Sequence, residues 1–185
     1  MKQNRFLLAL LSMTFIFSAC EKDDGEGNDE EVITTLSVKL TPVGGGATST
    51  FSFDDPDGPG GIAPTVDAIQ LAANTVYNVS LELFNKTLNP PANLTTEISG
   101  EAEAHRFYFE PSASGNIQVT GLDLDGANIP LGLNSVWSTG NAANGTMKIV
   151  LRHYSGNPPN KAVSDPVNSN KSSTDIEVTF NTVVN

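Results

Sequence analysis

The stretch LAANTVYNVSLEL, residues 71–83, decides the class of fold. Tyr77, Val79, Leu81 and Leu83 alternate with Asn78, Ser80 and Glu82, and an apolar residue at every second position gives a strand with one buried face. Working outward, Leu36, Val38 and Leu40 alternate with Ser37, Lys39 and Thr41, and the Gly44–Gly46 turn leads into Thr50–Phe53 as a hairpin partner. Ile69 and Leu71 form a short run, and further alternating runs cover 107–109, 117–124, 131–137, 147–151 and 176–184. About nine short strands separated by Gly, Asn and Pro predict an all-β sandwich. At most one short helix or turn is expected, in PPANLTTEISGEAEAHRF, where Asn93 or Thr95 can cap and Gly100 weakens the interior.

Within residues 71–83, Leu71 stands six residues before Tyr77. This spacing resembles the tyrosine corner of fibronectin type III and related immunoglobulin-like domains, although an ordinary strand with one tyrosine has the same pattern. The resemblance implies that the leucine packs under the corner while the tyrosine hydroxyl bonds back to the entering chain. About a hundred residues follow the corner, so the sandwich is expected to be enlarged.

The first nineteen residues carry Lys2 and Arg5, an apolar run from Phe6 to Phe17, and then Ser18 and Ala19 ahead of Cys20, the one cysteine. That order is a secretory signal: a basic start, an apolar core too short for a comfortable span, and small residues at the cut. The small residues before Cys20 resemble the lipobox of bacterial lipoproteins, with Phe17 where leucine is usual. The resemblance implies cleavage before Cys20 and its lipidation, leaving no thiol for disulfides. Residues 20–31 read as an acidic, solvated tether, and residues 32–185 as the sandwich domain. Lys22-Asp23-Asp24 also resembles a surface-export signal of Bacteroidota lipoproteins, although any acidic linker can begin this way. The formal charge is −11 and becomes −13 once Lys2 and Arg5 are removed with the signal. Such a domain repels phosphate backbones, which argues against nucleic acid as a partner.

Across residues 30–185, EEVITTLSVKLTPVGGG, DPDGPGG, LAANTVYNVSLEL, EAEAHRFYFE, IPLGL, STGNAANGTMKIVLRH and STDIEVTFNTVV together resemble a family of small Bacteroidota lipoproteins of unestablished function. Relatives there are often labelled with the type 1 periplasmic binding fold. That fold needs two lobes with alternating helices, whereas the strand pattern here offers a single candidate helix. The resemblance implies no activity.

Two constellations can carry chemistry. Met147, Ile149, Leu151 and His153 share one face of a strand, which places His153 at the rim of an apolar face. His105 has Glu101 beside it in either geometry: a helix stacks Glu97, Glu101 and His105, and a strand aligns Glu101, Glu103 and His105. Two imidazoles with Glu101 and Glu97 suit Zn²⁺ or Cu²⁺ if the fold brings the strands together; otherwise each histidine ends a strand, bonded to a neighbour or to water. The second constellation is a repeated D-x-D-G, with Asp55 and Asp57 in one loop and Asp123 and Asp125 in another. Such carboxylates can hold Ca²⁺, although Asp-Gly turns also simply join strands. No nucleophile elbow, zinc-protease helix or phosphate loop is present, so an enzyme is not expected.

These readings converge on a lipid-anchored outer-membrane protein exposed at the cell surface. It is expected to be a non-enzymatic module that binds a ligand or a metal (Zn, Cu or Ca) beside an outer-membrane transporter in an uptake system. The alternative is a structural or adhesive surface module with no small ligand.

Overall fold

The computed structural model describes residues 31–185. The expected signal peptide at 1–19, Cys20 and the tether up to residue 30 lie outside the described residues. Eleven strands and one short α-helix make two sheets packed face to face, so the chain is an all-β sandwich. The two lobes with alternating helices implied by the periplasmic-binding label are not found among the described residues.

The larger sheet has β1 (Thr35–Pro42), β2 (Ser49–Asp54), β3 (Thr65–Val66), β5 (Val76–Asn85), β6 (Ala92–Asn93), β8 (Ile117–Thr120) and β9 (Asn134–Thr139). Its order is β3-β2-β1-β5-β9-β8, with β6 also pairing β5. The smaller sheet runs β4-β11-β10-β7, from β4 (Ile69–Leu71), β7 (His105–Pro111), β10 (Ala143–Tyr154) and β11 (Ser172–Val184). Every pairing between strands is antiparallel except β11 with β4. Two of the eleven strands are two-residue edge or side pairings, which single-strand periodicity cannot detect.

The alternating residues do what period two requires. Leu36, Val38 and Leu40 of β1 and Tyr77, Val79, Leu81 and Leu83 of β5 face Met147, Ile149 and Leu151 of β10 and Val178 and Phe180 of β11 in one core. Trp137 is fully buried there, its indole N–H donating to Ser135 Oγ. Each such large apolar side chain contributes about 1.5–3 kcal/mol by leaving water.

The opening stretch closes as the tyrosine corner requires. Leu71 and Tyr77 are buried, and the Ala72 N–H donates to the Tyr77 hydroxyl at 2.8 Å. The outward side of β10 is also covered. Val150 and Tyr154 are buried there, and the 155–171 connection is tied to that face by Arg106 on the Ala162 and Val163 carbonyls and by Tyr108 on the Asp165 carbonyl.

The helix α1 (Leu94–Gly100) starts at Asn93, whose side chain accepts from the Thr95 N–H, and buries Leu94 and Ile98. It ends at Gly100, before the histidine that a longer helix would have carried. The turn from Glu101 to Ala104 then delivers His105 as the first residue of β7. Among the described residues no helix is long and apolar enough to cross a membrane.

Candidate functional site

The inward face of the smaller sheet is a ladder of rungs. Phe109 pairs with Ile149 and Phe107 with Leu151, and the next rung is His105 with His153. At this end of the sandwich the apolar column therefore gives way to two imidazoles, whose ring centroids lie 4.6 Å apart at 46°. His105 is fully buried and His153 partly so. The two histidines of the sequence are cross-strand neighbours, a pairing that no single strand pattern reveals.

A third member comes from β11 by way of a β-bulge. Leu151 pairs with Ile176 but Arg152 pairs with Thr174, so Asp175 is skipped in the ladder. Strict alternation would send Asp175 outward with Glu177; a bulge re-aims a side chain. Its carboxylate is fully buried, with Oδ2 3.9 Å from His105 Nε2. One ligand atom from each of His105, His153 and Asp175 lies within 4.8 Å of the other two.

The fourth member is Glu31. Composition assigns it to the solvated tether, yet its side chain is 10 % exposed and its Oε1 stands 3.3 Å from His105 Nε2. Glu31, Glu101 and His105 form a second group within 4.8 Å, sharing His105 with the first. Glu101 is exposed and marks the rim, beside a surface cleft lined by Gly100, Glu103, Gly126 and Asn157. Glu97, expected with these ligands, is exposed one turn earlier on α1 and joins neither group. The helix stops too soon for the i, i+4, i+8 stack.

The hydrogen bonds fix how the imidazoles present themselves. His105 Nδ1 lies 3.1 Å from the Glu101 carbonyl. A carbonyl can only accept, so Nδ1 carries the proton and Nε2 faces the carboxylates, the arrangement by which second-shell carbonyls orient metal-binding histidines. Burial alone would lower the His105 pKa, but Glu31, the Glu101 carbonyl and Asp175 outweigh it and hold the imidazole above its ordinary value. His153 is pushed the other way, by burial and then by His105, which favours its neutral form. Buried His153 Nδ1 and Glu31 Oε2 have no hydrogen-bond partner among the described residues.

A buried ion pair supports this turn from behind. Lys161 Nζ donates to the Ala102 carbonyl at 2.6 Å and the His105 carbonyl at 2.8 Å, and stands 2.8 Å from Asp125 Oδ2, with both side chains 1 % exposed. Asp125 Oδ1 accepts from the Ala127 and Ile129 N–H groups.

The second D-x-D-G is therefore built differently from a Ca²⁺ loop. Asp125 faces an ammonium, and Asp123 accepts from Gly132 N, Asn134 N and Asn134 Nδ2. The lone pairs a cation needs already receive N–H donors. In the first loop Asp57 Oδ2 accepts from Ile62 N, while Asp55 is buried with Oδ1 unpartnered among the described residues. Neither Asp55 nor Asp57 joins a metal-type group among the described residues.

Sequence reasoning found the two histidines and Glu101 and missed Asp175 and Glu31. The first is hidden by a bulge, the second by a linker-like composition. Comparison with protein-family models, curated proteins and solved structures finds no match for this chain.

Proposed function

We propose that this protein is a non-enzymatic, divalent-metal-binding β-sandwich, carried on the cell surface by a lipid at Cys20. The observation that carries the reading is the His105–His153 rung, two imidazoles 4.6 Å apart with the bulged Asp175 carboxylate within ligand reach. Two nitrogens and carboxylate oxygens suit Zn²⁺ or Cu²⁺. Tetrahedral Zn²⁺ with bonds of about 2 Å holds its ligand atoms about 3.3 Å apart. Groups within 4.8 Å of one another reach that spacing by small side-chain rotations. The neutral His153 has the lone pair a metal needs, and binding at His105 Nε2 would release its proton.

The lipid anchor and outer-membrane address rest on the resemblance of residues 1–24 to lipoprotein leaders, and a role beside an uptake transporter is an extension of that address. Isothermal titration of the metal-free full chain with Zn²⁺, Cu²⁺ and Ca²⁺ tests the function. One equivalent of Zn²⁺ or Cu²⁺ is expected to bind tighter than about 100 μM, Ca²⁺ is expected not to compete, and His153→Ala is expected to abolish the signal. Absence of binding at that level would leave a structural or adhesive surface module as the reading.

A further inference from the structure

Three of the four groups around His105 Nε2 and His153 sit on one sheet. His105, His153 and Asp175 are fixed by the ladders of β7, β10 and β11. Glu31 is not on that sheet. It precedes β1, which belongs to the other sheet, and the chain is first anchored at Thr34, whose N–H donates to Phe84 O at 2.9 Å and whose carbonyl accepts from Asp55 N at 2.8 Å. Between Glu31 and Thr34 the side chains alternate as in a strand. Ile33 packs on the core, Val32 is 48 % exposed, and Glu31 turns in over His105. A carboxylate three residues outside its nearest anchor is nonetheless nine-tenths covered, with Oε1 on the imidazole and Oε2 buried without a hydrogen-bond partner among the described residues.

We infer that Glu31 is the closing ligand of the metal site, so that a bound Zn²⁺ or Cu²⁺ staples the N-terminal segment across the open end of the sandwich. This inference rests on the metal-binding reading above. The ion is gripped on one side by the sheet and on the other by a strap that, among the described residues, is otherwise held by the packing of Ile33. Glu31 Oε2 has the free lone pairs that a second metal contact uses, whereas an imidazole offers one nitrogen per ion. The consequence is mechanical: occupancy pins residues 31–33 to the sheet at this end of the sandwich, beside exposed Glu101. A strap held by a ligand bond opens less often than one held by packing, because anything that binds the closed form and not the open one shifts the balance by mass action.

The test uses the full chain and Zn²⁺ alone as the probe, with two readouts: affinity by titration, and hydrogen exchange of the 31–33 amides with and without the ion. For the unaltered chain, Zn²⁺ should slow exchange at 31–33 at least tenfold. Glu31→Gln, which keeps size and removes the charge, should weaken binding at least tenfold and abolish the slowing while His105, His153 and Asp175 still retain some Zn²⁺. Glu31→Asp, with its carboxylate drawn back by one methylene, should fall between the two. If the unaltered chain binds and Glu31→Gln matches it in both affinity and exchange, the strap is overturned and the His–His–Asp site stands. If the unaltered chain binds no Zn²⁺, the metal reading and the strap fall together.

Discussion

Lys161 with Asp125, and the two imidazoles with Asp175 and Glu31, are both clusters of charge taken out of water, and both touch His105. The first holds its carbonyl and the second surrounds its ring. In the first cluster opposite charges meet: Asp125 Oδ1 takes two backbone N–H groups, its Oδ2 stands 2.8 Å from the Lys161 ammonium as an ion pair, and Lys161 gives to the Ala102 and His105 carbonyls. In the second, Glu31 Oε2 and His153 Nδ1 are buried with no hydrogen-bond partner among the described residues. A satisfied buried network specifies a conformation, whereas a partly satisfied one carries a cost that a suitable ligand removes. The difference separates the part of this end that builds the fold from the part that is free to bind.

The largest expected effect breaks the satisfied cluster. Asp125→Asn keeps an acceptor for Ala127 and Ile129 but leaves the Lys161 ammonium buried without a counter-charge, which costs about 3–5 kcal/mol. Urea unfolding reads this directly, and a loss below about 1 kcal/mol would erase the distinction between the clusters.

The two clusters should also fail in opposite directions of pH. For Asp125, burial alone would raise the pKa, but Lys161 and the Ile129 and Ala127 N–H groups hold it below the usual carboxylate range. Its folded pKa lies under its unfolded value of about 3.9, so its contribution is present above that pH and is lost as pH falls through the folded pKa. His105 is raised instead. Its contribution is full below the unfolded value of about 6.5 and is lost as pH rises through the higher folded pKa. Urea midpoints of metal-free protein across the acid and alkaline limbs should show both losses. Asp125→Asn should flatten the acid limb alone, and His105→Asn the alkaline limb alone.

The smallest effect sharpens the contrast. His153→Phe in metal-free protein removes a buried nitrogen that has no partner and keeps a ring of similar shape, so stability should change by less than about 1 kcal/mol. A loss of about 2 kcal/mol or more by the same urea assay would mean that His153 is a structural group after all.

Much of this end of the molecule was legible in the chain. The alternation in GTMKIVLRH put His153 at the end of an apolar face, and the Leu71 to Tyr77 spacing foretold the hydroxyl that accepts from Ala72. Asn93 was legible as one of two possible caps, with Thr95, and Gly100 as a weak point, and the helix starts after Asn93 and ends at Gly100. Asp175 was not legible, because STDIEV alternates cleanly and the bulge depends on how β11 meets β10. Nor was Glu31, since one acid among many in a linker has no local mark that it will fold back. The repeated D-x-D-G reads the same in both of its copies, yet only Asp125 meets a lysine, thirty-six residues further on.

By itself, then, the sequence determined the class of fold and which side of the longer alternating strands faces inward, because side-chain alternation is a property of one strand and is written in its own residues. The tertiary structure decided which strands lie side by side, and so it alone made neighbours of His105 and His153, turned Asp175 inward and drew Glu31 over them. Register, bulges and straps are set by partners distant in the chain, and the candidate metal site is assembled from those long-range choices.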